Sequence, residues 1–165
     1  MHQIIIIATI IATGIWFLRR QETTPKIEIS HGVEQRRINE TVQLMSIDIT
    51  ITNKGVVPVR MGSSLLRLQQ ILPLGEDIGE RLNNGYDLIL AGERTADWPA
   101  IAESRTTDTL TVLPGEKRVV CWELGVDTNV KTVRIYTFFS SSRTGKTGWA
   151  YSSICDIKEQ ECTKP

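Results

Sequence analysis

The sequence predicts an all-β domain that follows a single N-terminal transmembrane helix. An uncharged apolar run over residues 4–18 opens the chain and ends at Arg19 and Arg20. Beyond Pro25 the apolar residues recur at every second position, which is typical of strands with one buried face. No long helical patterns alternate with these strands, so a parallel α/β sheet is not expected. The predicted boundaries are an anchor over residues 1–20, a linker over 21–26, a β-sandwich over 27–158 and a C-terminal tail over 159–165.

The anchor prediction depends on the length and the ends of the apolar run. Its residues 4–18 would form a helix of roughly 22 Å, against about 30 Å for the hydrocarbon core of a bilayer. Residues 1–3 would extend the helix at one end, and Trp16 would lie at the membrane interface. Arg19 and Arg20 would reach toward the head groups at the other end. The segment therefore fits a single membrane span.

A cleaved signal peptide is the alternative for the same segment. Signal peptides begin with positive charge and end in a small-x-small cleavage site. Here residues 1–3 carry no lysine or arginine, and Arg19, Arg20 and Lys26 follow the apolar run. This order favours an uncleaved anchor and, by the positive-inside rule, a cytoplasmic C-terminal domain. An extracytoplasmic domain, or a protein secreted after cleavage, is the alternative location.

Small residues inside the run predict a contact between membrane helices. Ala8 and Ala12 lie four residues apart, as do Thr9 and Thr13. This spacing lets two membrane helices approach closely. We expect weak homo-oligomerisation through Ala8 and Ala12, with the lipid bilayer as the other partner of the anchor.

Alternation and turn residues predict the strands. The clearest strand covers residues 45–52, where one face carries Met45, Ile47, Ile49 and Ile51. Other strands are predicted over 26–30, 56–61, 65–72, 107–113, 117–124, 132–139 and 148–157. A short helix is predicted over 97–103, because aspartate caps helices and proline is tolerated in a first turn.

The strand spacing resembles that of a known fold. Seven or eight antiparallel strands, with the turn Leu113-Pro114-Gly115-Glu116 in the order that a type II turn requires, resemble the immunoglobulin-like β-sandwich of many bacterial surface and membrane proteins. The Cys-Trp-Cys core of antibody domains is not matched, since Trp122 directly follows Cys121. The resemblance covers the part of the chain beyond the anchor, and it implies a fold and no particular function.

Composition excludes some functional classes. The chain has 19 basic and 19 acidic residues and a net charge of zero, so no nucleic-acid partner is expected.

Cys121, Cys155 and Cys162 are too few for a disulfide framework. We expect Cys121 to be a buried core thiol. Cys155 and Cys162 would be reduced in the cytoplasm or could form a bridge in an oxidising compartment.

One segment imitates a phosphate-binding loop. Residues 140–147 end in Gly145-Lys146-Thr147, which matches the end of G-x-x-x-x-G-K-[ST]. Ser140 replaces the first glycine of that motif, and the residues from Gly148 onward predict a strand where phosphate binding needs a helix N-terminus. The segment is therefore predicted to be a hairpin loop.

Catalytic and metal-binding residue types are sparse. The only histidines are His2 and His31, and His31 is predicted to follow the first strand. A nucleophilic site would have to use His31, and no nucleophile-elbow motif accompanies it. The sequence therefore predicts no catalytic residue, no metal site and no cofactor. A membrane-bound enzyme or nucleotide-binding protein that uses Lys146 or His31 is the alternative function.

Trp98 is the first candidate for partner binding. It lies beside Pro99 and near Ile101 in a long insertion between predicted strands. A tryptophan in such a place either plugs the open end of a sandwich or anchors a partner. Trp98, Pro99 and Ile101 are therefore the candidate partner-binding residues. The predicted function is a membrane-anchored, non-enzymatic interaction module or an accessory subunit of a membrane complex, with a protein partner of unknown identity.

Overall fold

A computed structural model gives the fold. It describes residues 25–83, 98–141 and 147–157, together with Thr13, Gly14 and Trp16. Between residues 25 and 157 the described elements are β1 (Ile27–Arg37), β2 (Val42–Asn53), β3 (Val59–Leu72), α1 (Glu76–Asn83), β4 (Ala100–Thr106), β5 (Leu110–Val112), β6 (Lys117–Asp127), β7 (Thr132–Ser141) and β8 (Gly148–Asp156).

The strands form two antiparallel sheets. The first sheet has the order β1-β2-β6, and the second has the order β4-β3-β7-β8. β4 and β5 lie one after the other along the same edge of β3, because Met61 of β3 pairs with β5 on one side and with β7 on the other. The prediction of an all-β domain is confirmed, and the two sheets pack as a β-sandwich.

Apolar side chains from both sheets fill the space between them. From β2, Met45, Ile47, Ile49 and Ile51 are each at most 1% exposed, as the alternating pattern predicts. Across from them lie Leu66, Leu68, Val133 and Ile135, also at most 1% exposed. Burial of one such side chain is worth about 1.5–3 kcal/mol. Burial of these apolar side chains therefore determines which faces of the two sheets pack together.

The predicted type II turn is present. The backbone N–H of Glu116 donates to the carbonyl oxygen of Leu113 at 2.9 Å, and Gly115 has a φ of 74°. Only glycine adopts this conformation readily at the third position of a type II turn. The turn joins β5 to β6 and so connects the two sheets.

The short helix predicted over residues 97–103 is wrong in its described part. Residues from Ala100 onward form β4 and pair with β3. Ala102 packs against the core, while Glu103 forms an ion pair with Arg67. Long-range strand pairing overrides the local capping signal, and a proline just before a strand disturbs no ladder bond within it. Asp97 lies outside the described residues.

Two further expectations differ from the structure. His31 does not follow the first strand but lies within it, because β1 continues to Arg37. Cys121 is exposed and is not a core thiol. It shares a strand face with Lys117 and Glu123, whereas its neighbour Trp122 packs against the core.

Helix α1 was not predicted. Its eight residues include Gly79, a poor helix former. Ile78 is 2% exposed, so burial of one apolar side chain helps to hold the helix in place.

Several predictions fall on residues outside the description. Of the anchor, residues 1–20, only Thr13, Gly14 and Trp16 are described. No helix within the described residues is both long enough and apolar enough to span a membrane. Ala8, Ala12, Lys146, Cys162 and the tail over 159–165 lie outside the described residues, so the predictions made for them stay predictions.

Candidate functional site

The three candidate partner-binding residues lie together at the start of β4. Trp98 and Pro99 directly precede the strand, and Ile101 is its second residue. β4 is at the edge of its sheet, with β3 as its neighbour among the described strands. Trp98 is half-buried, Pro99 is exposed, and Ile101 exposes 38% of its surface. We call these three residues the β4 patch.

Hydrogen bonds from β3 fix the backbone of the β4 patch. The carbonyl oxygen of Trp98 accepts from Nε2 of Gln69 at 2.8 Å, and that of Pro99 accepts from the backbone N–H of Gln70 at 2.9 Å. The pairing between β3 and β4 shifts by one residue here, which leaves Ile101 as the extra residue of a β-bulge. Bulges redirect side chains at sheet edges. The patch is thus held in a defined conformation at the edge.

A buried arginine lies behind this contact. Gln69 is 4% exposed, and its Oε1 accepts from Nη1 of Arg134 at 3.3 Å. Arg134 is 8% exposed, donates from Nε to Oγ of Ser152 at 2.8 Å, and places its guanidinium 5.8 Å from the ring centre of Tyr136. A buried guanidinium is tolerated only when its donors are well paired. Because Gln69 contacts both Arg134 and Trp98, this network connects β7 and β8 to the patch.

A cluster of charges borders the β4 patch. Glu103 forms ion pairs with Arg105 at 2.7 Å and with Arg67 at 2.9 Å. Hydrogen bonds from Arg105 and Arg67 hold the pKa of Glu103 below its usual value. An accessible apolar centre beside a polar rim is the arrangement found in protein interfaces.

His31 lies in a second polar cluster, between the two sheets. Its Nδ1 is 2.7 Å from Oγ of Ser153, and its Nε2 is 3.0 Å from Oγ1 of Thr137. The ring of Tyr151 meets the imidazole edge-on, with centroids 4.8 Å apart. Burial lowers the pKa of His31 to about 4, so the ring is neutral at physiological pH.

Both ring nitrogens of His31 have a hydrogen-bond partner. A neutral imidazole has one donor and one acceptor nitrogen, and the two hydroxyls match both. A catalytic base needs a pKa near the working pH and an orienting partner such as a carboxylate. Within the described part of the chain, no carboxylate is hydrogen-bonded to His31. The cluster therefore joins the sheets, and it lacks the arrangement of a nucleophilic site.

The segment that imitates a phosphate-binding loop is flanked by strands. The backbone N–H of Ser141 donates to the carbonyl oxygen of Thr147 at 2.6 Å, which closes a β7–β8 hairpin. β8 begins at Gly148, where phosphate binding would need the start of a helix. Among the residues that the structure describes, histidine, cysteine, aspartate and glutamate form no group of three or more that could hold a metal ion.

Sequence reasoning missed the network behind the β4 patch. Gln69 and Arg134 are 65 positions apart, and their register across β3 and β7 cannot be inferred from local pattern. One signal was available: Arg134 is a lone charge in the otherwise uncharged strand Thr132–Ser141. A charge in such a setting is usually paired when it is buried.

Comparisons with known proteins add little. No protein-family model matches this chain, and no curated protein matches its sequence. A β-glucuronidase from Bacteroides uniformis aligns with a TM-score of 0.49 at 9% identity, over 77% of this chain but only 13% of its own length. The putative ApaA protein from Bordetella pertussis aligns with a TM-score of 0.45 at 10% identity, over 82% of this chain and 97% of that one. A protein from Archaeoglobus fulgidus aligns with a TM-score of 0.39 at 12% identity, over 81% and 98%. At these scores the likenesses support no argument about function.

Proposed function

We propose that this protein is a membrane-anchored, non-enzymatic binding module that recognises a protein partner through the β4 patch. One observation carries the proposal: Trp98, Pro99 and Ile101 are grouped on a sheet edge and are at least partly accessible, and Gln69 and Gln70 hold the backbone carbonyls of Trp98 and Pro99. Edge strands offer unpaired backbone groups to an incoming extended segment. An accessory subunit of a membrane complex would use the same surface.

A preformed surface favours binding. Ordering a loop when a partner arrives costs affinity, and a surface already fixed by hydrogen bonds avoids that cost. The link from Trp98 through Gln69 to Arg134 supplies such rigidity. Aromatic residues and arginines are also the residue types that dominate binding energy at interfaces. Trp98 lies just before the start of β4, and Arg105 lies further along that strand.

The strand order supports an immunoglobulin-like assignment within this proposal. If β1, β2, β3, β6, β7 and β8 are lettered A, B, C, E, F and G, the first sheet is A-B-E and the second contains C, F and G, as in immunoglobulin-like sandwiches. β5 would be D in chain order, but it pairs with β3 in the second sheet, whereas D of a constant-type domain belongs to the sheet of A, B and E. Such folds serve many functions, so the assignment supports a binding role only by making one plausible. An experimental structure with β6 in the second sheet would overturn it.

Site-specific cross-linking tests the proposed surface. A photo-reactive amino acid at position 101 in the full-length chain should give a discrete adduct with another protein in native membranes. The matched control is position 154 on β8, because Ile154 is also an exposed isoleucine of the same sheet, at 68% exposure. Ile101→Glu should weaken co-purification of the cross-linked protein about tenfold or more, whereas Ile154→Glu should leave it unchanged. Equal adducts from both positions, or none from position 101, would contradict the proposal.

A further inference from the structure

The edge of the first sheet at β6 differs from the other sheet edges. β6 pairs with β2 over residues 117–127 without any register shift. In contrast, the β4 edge contains the bulge at Ile101, and β4 is separated from β5 by residues 107–109. At the opposite side of the sandwich, Gln35 of β1 donates to the backbone carbonyl of Asp156 in β8. β6 is thus the long, regular and uncovered edge among the described strands.

The backbone groups on this edge are available for pairing. The hydrogen bond from the N–H of Asn53 to the carbonyl oxygen of Glu116 shows which residues of β2 and β6 form the hydrogen-bonded pairs of this ladder. Since hydrogen-bonded pairs alternate in an antiparallel ladder, the even-numbered residues of β6 point their N–H and C=O groups at β2. The odd-numbered residues Val119, Cys121, Glu123 and Gly125 point theirs away. No hydrogen bond within the described part of the chain uses these outward groups.

The usual protections of an edge strand are missing in the centre of β6. Natural edges are commonly shielded by lysine, proline, a bulge or a covering loop. Between Val119 and Gly125 there is no lysine and no proline, and the pairing with β2 contains no bulge. Val119 is 55% exposed, and Trp122 packs against the core but is only partly buried.

The sequence of β6 is complementary to itself when two copies run antiparallel. Full overlap of residues 117–127 centres a twofold axis on Trp122. In that register Lys117 lies opposite Asp127 of the second copy, and Val119 lies opposite Gly125. Opposite charges in directly opposed positions favour cross-strand pairing, and Gly125 places no side chain against Val119. In this register the odd-numbered residues of the two copies lie opposite each other as hydrogen-bonded pairs. This is the required arrangement, because the odd-numbered residues are the ones whose N–H and C=O groups point away from β2.

One of the two neighbouring registers is disfavoured by charge, and the other gives up the Lys117–Asp127 pairs. A shift that aligns residue 123 with residue 123 of the second copy sets two glutamates directly opposite each other, and like charges in that position are destabilising. The full-overlap register avoids this repulsion and uses the whole strand.

We propose that the β6 edge pairs antiparallel with the β6 edge of a second copy of this chain, which joins the two three-stranded sheets into one six-stranded sheet. The pairing uses the first sheet and leaves the β4 edge of the second sheet unpaired. It does not depend on the function proposed above.

A proline in the edge tests the proposal. Cys121→Pro removes an outward N–H and no backbone hydrogen bond to β2, and proline is tolerated at edge strands. It also removes the side-chain contact of the Cys121 thiol with Oγ of Ser46 at 3.4 Å, so circular dichroism must show that the variant is folded. Its matched control is Ala150→Pro, because Ala150 is exposed on β8 and also points its N–H away from its partner strand. Sedimentation of the full-length chain in mild detergent should show a dimer for the parent protein and for Ala150→Pro, and a monomer for Cys121→Pro.

A charge exchange gives a second test that leaves the backbone unchanged. Lys117→Asp should weaken the dimer about tenfold, since it sets two pairs of carboxylates opposite each other. Asp127→Lys should weaken it similarly, and the double variant should restore it. Asp127 also accepts from the backbone N–H of Asn129 at 2.8 Å, so circular dichroism must show that each variant is folded. Lys26→Asp is the control for an equal change of charge away from β6.

Three results would overturn the proposal. The first is a parent protein that is monomeric at every concentration tested. The second is a folded Cys121→Pro variant that remains dimeric; if Ala12→Leu then gives monomers, the contact lies in the predicted membrane helix. The third, decisive where Cys121→Pro does not fold, is a double charge variant that is no more dimeric than the two single variants.

Discussion

His31 connects the two sheets through a side chain rather than through the backbone. It lies on β1 of the first sheet, and its hydroxyl partners, Ser153 on β8 and Thr137 on β7, belong to the second sheet. Thr137 is fully buried at 0% exposure. Its hydroxyl donates to the carbonyl oxygen of Tyr151 at 3.5 Å and pairs with the imidazole at 3.0 Å. A hydrogen bond of this kind contributes about 0.5–1.5 kcal/mol, so the imidazole stabilises the sandwich by linking Thr137 to the first sheet.

The neutral state of His31 predicts how stability depends on pH. Its pKa falls from 6.5 in the unfolded chain to about 4 in the folded one because burial disfavours the imidazolium. Between these values the unfolded state binds more protons, so stability is lost as the pH falls below 6.5. We expect a loss of about 1–2 kcal/mol on going from pH 6.5 to about pH 5, allowing for solvent that reaches the partly exposed ring.

Urea unfolding of the full-length chain in detergent measures this loss. His31→Gln should be less stable at neutral pH and should lack the pH dependence in this window. His2→Gln, which alters the other histidine of the chain, should keep the dependence of the parent protein. If His31→Gln keeps the same slope as the parent protein, the explanation is wrong.

At the scale of elements, the β7–β8 hairpin depends on one glycine. A Cβ atom on Gly148 would collide with the carbonyl oxygen of Phe139 and would lie 2.8 Å from Cζ of Phe138. Gly148→Ala should therefore destabilise the protein by about 1–3 kcal/mol, because backbone must shift to make room. Gly32→Ala on β1 is the matched control, since its Cβ would meet Cβ of Asp48 at an ordinary 3.6 Å and Gly32 lies away from the β6 edge. Denaturation midpoints of the two variants should differ clearly, and equal midpoints would contradict the steric argument.

Strands with regular alternation were predictable, whereas strands fixed by distant partners were not. β2 follows from its sequence because every second residue from Met45 to Ile51 is apolar and its other face is polar. The sequence predicts a helix over the start of β4, because the strand character of β4 comes from pairing with β3, including the ion pair of Glu103 with Arg67. Local propensity carries no information about such pairing.

The same limit applies to the candidate site. Trp98, Pro99 and Ile101 were predictable as a group because they are adjacent in sequence. Their support by Gln69 and Arg134 was not, since contacts over such sequence separations depend on the register of whole strands.

At the scale of the whole molecule, the buried polar side chains are hydrogen-bonded, whereas the sheet edges at β4 and β6 remain accessible. Among the described residues, every buried side-chain nitrogen and oxygen has a hydrogen-bond partner. A well-satisfied interior favours a single rigid native state. The accessible edges at β4 and β6 then become the natural places for contacts with other chains, and both proposals made above use them.

The predicted anchor determines which compartment those edges would face. If residues 1–20 span a membrane uncleaved, Arg19, Arg20 and Lys26 favour a cytoplasmic sandwich. An enzyme that works only outside the cytoplasm should then be inactive when fused to the C-terminus, while a fluorescent protein that folds in the cytoplasm should be bright. Strong activity of the first reporter would refute this orientation.

Moving the charges tests the physical cause of that orientation. Arg19→Gln with Arg20→Gln, combined with His2→Lys and Gln3→Lys, places the positive charge before the apolar run and should invert both reporter signals. Lys54→Gln with Arg60→Gln removes the same number of charges farther from the anchor than the roughly 15–20 residues over which the rule acts, so this control should leave the signals unchanged. Inversion by the control, or none by the first set, would show that flanking charge does not set the orientation. A cytoplasmic sandwich would keep Cys121 reduced, which leaves the centre of the β6 edge free to pair through its backbone.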